Sequence, residues 1–248
     1  MNRTLEEKII ARFDEVGDNA VAERVSDNNF ELVNILEFFG KPAAGRNRLL
    51  DAGCGKGKFL QKFAQNDFAV TGIEPSELLL NVAVKNNPGF VLKKASVTEI
   101  PFPDNSFDFV VCIEVLEHIP DINMALREMA RVLKPGGKMI IIDKNIFSLH
   151  PAYFIPTALW KFVMERTNKW MYPKDFPFRE KYFNPWNLNR FIRKRFTKSR
   201  INFILYNSES IHHSFFRKTA SFIRGIVANI MHACCPFLDF YVAWQAIK

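Results

Sequence analysis

Apolar residues recur along this chain with two different periods. Over residues 4–16 and 19–39 the spacing is helical. In the second stretch Phe30, Val33, Ile35 or Leu36 and Phe38/Phe39 fall on one stripe, which predicts an amphipathic helix. Gly40, Pro42 and Gly45 break that pattern. Short, almost continuous apolar runs then alternate with helical ones. Residues 48–52, 68–73, 90–94, 107–113 and 138–143 read as strands. Residues 58–66, 76–86 and 122–133 read as helices, with Ser76 as an N-cap and Pro135-Gly136-Gly137 as a stop. This βαβα rhythm predicts an α/β fold with a doubly wound, mostly parallel sheet.

The rhythm changes after position 148. Residues 148–183 are rich in Pro, Trp, Tyr and Phe and show no clear period. Residues 184–196 read as a helix with Pro185 in its first turn, and 201–206 and 240–247 as strands. Between those strands, 209–235 carry the apolar pairs Phe215/Phe216, Phe222/Ile223, Ile226/Val227 and Ile230/Met231, with basic residues interleaved. That pattern predicts a basic amphipathic helix.

Composition sharpens the division. A chain of 248 residues suits one large domain with an elaboration. Residues 1–147 carry 18 Lys+Arg against 21 Asp+Glu, whereas 148–248 carry 16 against 5. All five tyrosines and all four tryptophans also follow position 148. Residues 1–147 and 148–248 are thus two halves of one domain with different work. No stretch reaches the roughly 18 uncharged apolar residues of a spanning helix, and the N-terminus lacks the pattern of a signal peptide. A cytoplasmic protein is expected, with any membrane association peripheral. The four cysteines show no metal-ligand spacing, so reduced thiols and no metal site are expected.

The chemistry concentrates in LLDAGCGKGKF, residues 49–59. A strand runs into Asp51-x-Gly53-x-Gly55-x-Gly57, and a helix follows. Glycines let the backbone turn tightly and let a ligand approach main-chain atoms, at the strand ends where open α/β sheets bind ligands. A phosphate-binding loop requires G-x-x-x-x-G-K-[ST], which is absent. A dinucleotide fingerprint requires a third glycine where Lys58 stands. An acid ahead of the glycines suits a ligand with a cationic group and no phosphate. Glu74 ends the next strand roughly 20 residues on, where a carboxylate binds ribose hydroxyls.

Together with GIEPS (72–76), IPFPDNSFDFVVCIEVLEHI (100–119) and ALREMARVLKPGGKMIII (125–142), this segment resembles the class I S-adenosylmethionine (SAM)-dependent methyltransferases of the small-molecule type. The resemblance runs from about 46 to 145. It implies a Rossmann-like, seven-stranded sheet whose last strand is antiparallel, with 201–206 and 240–247 as the final strands and helical insertions on the substrate side. It also implies SAM as cofactor. Asp51, Gly53, Cys54 and Gly55 then surround its methionine part, Glu74 holds the ribose, and Pro75 and Ser76 border the adenine. The family often has an Asp after the third strand that accepts from the adenine amino group. Ser96 and Val97 stand there instead, so weaker discrimination or a different partner is expected. Glu114 falls near the transferred methyl.

His118 completes Glu114-x-x-Glu117-His118, and an imidazole is well suited to take a proton at neutral pH. Its other reading is to position the loop. His212 and His213 are further base candidates. The sequence lacks the (N/D)-P-P-(Y/F/W) of base-amino methylation and the Pro-Cys of cytosine-C5 methylation. Tyr153, Trp160, Trp170, Tyr172 and Trp186 are candidate pocket aromatics. The expected activity is methylation of oxygen or carbon on a small apolar, lipidic or saccharide acceptor. The rival is a non-catalytic protein of the same fold that binds a partner, a membrane surface or RNA through its basic half. For that charge an anionic or lipid-like small substrate ranks first, membrane contact through 215–235 second, and nucleic acid last, for want of a motif. The sequence leaves the oligomeric state open.

Overall fold

The alternating apolar runs fold as one sheet. The computed structural model describes residues 4–20, 24–149, 155–167, 171–172, 174–204, 229 and 231–248. Its strands are β1 Arg48–Ala52, β2 Ala69–Ile73, β3 Val91–Lys93, β4 Phe107–Ile113, β5 Leu133–Lys144, β6 Lys198–Ile204 and β7 Tyr241–Ile247. They lie in the order β3-β2-β1-β4-β5-β7-β6, with β7 antiparallel to both neighbours and the first five parallel. This is the seven-stranded topology expected. The chain winds outward from β1 to β3, then crosses back to β4. That reversal opens a crevice at the carboxyl ends of β1 and β4.

Helices cover both faces. They are α1 Leu5–Ala20, α2 Phe30–Phe39, α3 Leu60–Gln65, α4 Glu77–Asn86, α5 Ile122–Val132, α6 Thr157–Arg166 and α7 Pro185–Ile192. β4 shows why the strands read as unbroken apolar runs. Every residue in it is buried, and successive side chains serve opposite layers. Val110 and Cys112 join Leu126 and Met129 of α5 and Leu188 of α7. Phe109, Val111 and Ile113 join Phe39 of α2 and Phe63 of α3. Each large side chain buried this way contributes roughly 1.5–3 kcal/mol. Ser76 caps α4 by accepting from Leu79 N at 3.3 Å, as its position predicts.

Several expectations change. The helix predicted over 19–39 is confined to α2, because the Asn29 side chain accepts from Leu32 N at 2.9 Å and starts the helix there. α6 was not legible as a period because its apolar residues Leu159, Phe162 and Val163 face outward. The predicted stop at 135–137 lies inside β5, whose pairing with β4 shifts register between Phe107 and Phe109. Gly136, with φ +73°, makes that irregularity affordable in backbone terms. Most of the predicted helix 209–235, including Phe222 and Ile226, lies outside the described residues, as do His212 and His213. Among the described residues no helix is long and apolar enough to cross a membrane.

Candidate active site

Where β1 ends, the chain turns through Gly53, Gly55 and Gly57, all in the left-handed region. A Cβ on Gly53 would lie 2.4 Å from Val115 Cγ2, and one on Gly57 2.6 Å from Asn87 Nδ2. The glycines therefore let the β1 turn close against both the loop after β4 and the end of α4. Glu74, at the end of β2, ties this turn to the next. Its Oε2 accepts from Gly55 N at 3.0 Å and its Oε1 from Ser76 N at 2.9 Å. Burial pushes its carboxyl up to about 7 despite those two bonds. Asp51 sits behind the glycine turn, 3% exposed, and its Oδ2 has no hydrogen-bond partner. Burial pushes this carboxyl up to about 7 as well, against the pull of Lys58.

A second group forms where β4 and β5 end. Glu114 holds φ +54°, a strained conformation for a residue with a side chain. Its Oε1 accepts from Tyr241 OH at 2.8 Å, and its Oε2 lies 3.6 Å from Lys58 Nζ. Lys58 thus reaches inward, bridging Glu114 and Glu31 of α2. Lys144, the last residue of β5, places Nζ 2.6 Å from Glu117 Oε1 and 2.7 Å from Glu180 Oε1. Burial opposes its charge, but Glu117, Glu180 and Glu114 together hold its ammonium well above the usual lysine range. Burial likewise opposes ionisation of Glu117, yet Lys144 and His118 keep its carboxyl well below the usual range. Glu117, His118 and Glu180 bring donor atoms within 4.8 Å of one another, a set with metal-binding chemistry. The ammonium of Lys144 already supplies the neutralising cation there.

Both ring nitrogens of His118 are engaged. Nε2 lies 3.1 Å from Glu117 Oε1 and Nδ1 2.9 Å from Tyr172 OH. Since a carboxylate only accepts, Nε2 carries the proton toward Glu117 and, in the neutral ring, Nδ1 accepts from Tyr172. That arrangement orients the ring and wall more directly than it presents an open base.

The two groups share one cavity of about 570 Å³, within the usual range for small-molecule sites. Gly53, Cys54, Gly55, Glu74, Pro75, Ser96, Val97, Glu114 and His118 all line it, as their positions in the sequence predict. Asp51 and Ser76 do not; they stand behind its wall. Ser76 is fully buried, its hydroxyl engaged by Leu79 N and Asp14. Of the predicted C-terminal aromatics, the described Trp160, Tyr172 and Trp186 are not among the residues lining the cavity. Trp186 is 53% exposed beside Phe147, and Tyr172 packs among Phe176 and Phe178 behind His118. Tyr153 and Trp170 lie outside the described residues. The aromatic wall is instead Phe13 of α1, edge-on to His118 at 5.0 Å. Among the described residues after position 148, no lysine or arginine lines the cavity. The charged lining is Glu6, Glu74, Glu114, Glu117 and Glu180 against Lys58, Lys144 and His118.

Sheet order, the glycine turn after β1 and the carboxylate at the end of β2 together fit the class I methyltransferase architecture. A family model described as a methyltransferase domain matches residues 50–141. The 27-O-demethylrifamycin SV methyltransferase of Amycolatopsis mediterranei is 40% identical over 111 residues, 41% of this chain and 40% of that protein. The ubiquinone/menaquinone biosynthesis C-methyltransferase of Rickettsia akari is 30% identical over 171 residues, 56% of this chain and 68% of that protein. A solved SAM-dependent methyltransferase from Thermotoga maritima shares the fold with a TM-score of 0.63 at 18% identity, covering 99% of this chain and 100% of its own. The chain belongs to the SAM-dependent methyltransferases. It spans about half the length of several curated relatives it matches.

Proposed function

We propose that the chain transfers a methyl group from SAM to an oxygen or carbon of a small, uncharged acceptor. One observation carries this reading: a single cavity joins the glycine turn and Glu74 at one end to Glu114, Lys144, Glu117 and His118 at the other. The residues fit the cofactor. Glu74 uses one bond on each oxygen for backbone N–H groups, and a carboxylate has further acceptor capacity for ribose hydroxyls. The unpartnered Asp51 Oδ2 keeps buried negative charge behind the turn, which suits a ligand carrying an ammonium and a sulfonium.

SAM supplies a methyl group already activated by its sulfonium. The chain's part is to align the acceptor and keep water out. Ile9, Ile10 and Phe13 of α1 cover the cavity. Glu114 is held at the methyl end by Tyr241, and the strain at its backbone fixes its direction. Glu117, positioned by Lys144 and His118, places a buried carboxylate in the cavity wall. Five glutamates in the lining disfavour an anionic acceptor, whatever the charge of the outer surface. The relatives named above act, by name, on a demethylated rifamycin and in ubiquinone and menaquinone biosynthesis, which supports a small acceptor.

Methyl-labelled SAM offered with a panel of hydroquinones, phenols and glycosides, each beside a carboxylated analogue, tests the reading. Label should enter uncharged members, with kcat/KM at least about tenfold lower for carboxylated ones. Preferential transfer to the anionic members would contradict it. So would cofactor binding without transfer to any acceptor.

A further inference from the structure

The cavity has an end that the transfer chemistry leaves unexplained. Besides Glu74 and Pro75, the lining includes the apolar side chains of Ile9, Ile10, Leu79 and Val97, a set that suits an apolar slot. One carboxylate stands in this slot, that of Glu6 on α1. Two hydroxyls fix it. Ser96 Oγ donates to Glu6 Oε1, and Thr98 Oγ1 donates to the same oxygen at 2.9 Å. The two hydroxyls also lie 2.8 Å apart, so Ser96, Thr98 and Glu6 form one network. Both donors engage Oε1, so neither hydroxyl occupies Oε2, and Glu6 itself lines the cavity.

α1 is not loosely placed. Asp14 Oδ1 accepts from Ser76 Oγ at 2.6 Å and from Leu78 N at 3.2 Å, and Arg12 Nε donates to Met171 O at 2.9 Å. These bonds pin the helix across the cavity whether or not Glu6 takes part.

An apolar slot with one fixed carboxylate selects a flat heteroaromatic ring that presents an N–H donor at its edge. We infer that Glu6 is the residue through which this chain recognises the exocyclic amino group of the cofactor's adenine. Ser96 and Thr98 act as positioning residues that hold the carboxylate. The anionic acceptor absent at positions 96 and 97 is thereby supplied from α1, some 90 residues away in sequence. This inference rests on the SAM reading above, and its test separates the two.

The test compares S-adenosylhomocysteine with S-inosylhomocysteine, in which a carbonyl oxygen replaces that amino group. Calorimetry on the full chain would measure both ligands with the native protein, Glu6→Ala and Glu6→Gln. The carboxylate loses the amino-group hydrogen bond and is repelled by the carbonyl oxygen, while the N1–H that the inosyl base gains offsets part of the loss, so the native protein should prefer the adenosyl ligand by about tenfold or more. Glu6→Ala should bring that preference within about threefold. Glu6→Gln should lower it too, because an amide can donate to the carbonyl oxygen. Asp14→Ala loosens α1 without touching the carboxylate, so it should weaken both ligands alike and leave their ratio unchanged. If the native protein binds the adenosyl ligand but Glu6→Ala keeps the full preference, the inference falls and the SAM reading stands. If the folded native protein binds neither ligand, the SAM reading falls and takes this inference with it.

Discussion

Asp51 and Glu74 are two buried carboxylates whose charge the ligand-free protein tolerates poorly. Both have carboxyls pushed up to about 7 by burial, from an ordinary range near ~4. A raised folded-state value means that the folded protein holds more protons than the unfolded chain between about pH 4 and 7. The stability linked to these groups is present below that range and lost as pH rises through 7. A cofactor with an ammonium and ribose hydroxyls favours the ionised forms, so binding should release protons. S-adenosylhomocysteine affinity should therefore rise about tenfold or more from pH 6 to pH 8. Calorimetry in buffers of different ionisation enthalpy checks this; flat affinity with no proton release would contradict the placement of the ligand beside these carboxylates. At this scale, legibility in the sequence followed the reach of the backbone. Asp51, Gly53 and Glu74 stood out because each lies where a strand hands over to a turn beside the glycine-rich segment, whereas Glu114 was singled out only through the family resemblance. Glu6 and Glu180 could not be read, because only tertiary packing carries them to the cavity from segments far away in the chain. Lys144 lay between. A polar Asp143-Lys144 ending the apolar run Ile140-Ile141-Ile142 was a signal that the strand end faces a polar cavity.

Among the elements, β4 and β5 matter most, because their ends carry Glu114 and Lys144 into the cavity. Their relative register depends on the irregular turn where β5 begins, and Asp108 anchors it. This carboxylate is 2% exposed, lies 2.9 and 3.0 Å from Lys134 Nζ, and accepts from Arg48 N at 3.2 Å. It joins the start of β1 to the start of β5, at the end of the sheet away from the cavity. Asp108→Ala leaves Lys134 and Arg48 N without their acceptor. The cost should be about 3 kcal/mol in denaturant unfolding, with cofactor affinity unchanged. Lost stability together with lost affinity would show that this end of the sheet also shapes the site. The element pattern itself was largely legible between residues 48 and 143, where strand and helix periods alternate cleanly. It was not legible at α6, whose apolar residues point to solvent, and the start of α2 was misplaced because one Asn side chain sets it.

The whole molecule separates its charge from its chemistry. The second half of the sequence is strongly basic, yet the cavity presents mostly carboxylates. Composition ranks an anionic or lipid-like small substrate first, whereas the carboxylates of the described lining support the uncharged acceptor proposed above. What unites the molecule is one sheet reversal, at which β1, β2, β4 and β5 deliver their terminal residues to a common cavity under α1. The central claim is that this cavity holds SAM through Glu74 and the glycine turn. The most direct measurement is calorimetric titration of the native chain and of Glu74→Ala with S-adenosylhomocysteine, with circular dichroism on both to confirm folding. The account predicts micromolar binding by the native protein, weakened by about 100-fold or more in the variant. A folded native protein that binds neither SAM nor S-adenosylhomocysteine, or a folded variant that binds as tightly as the native, would contradict it.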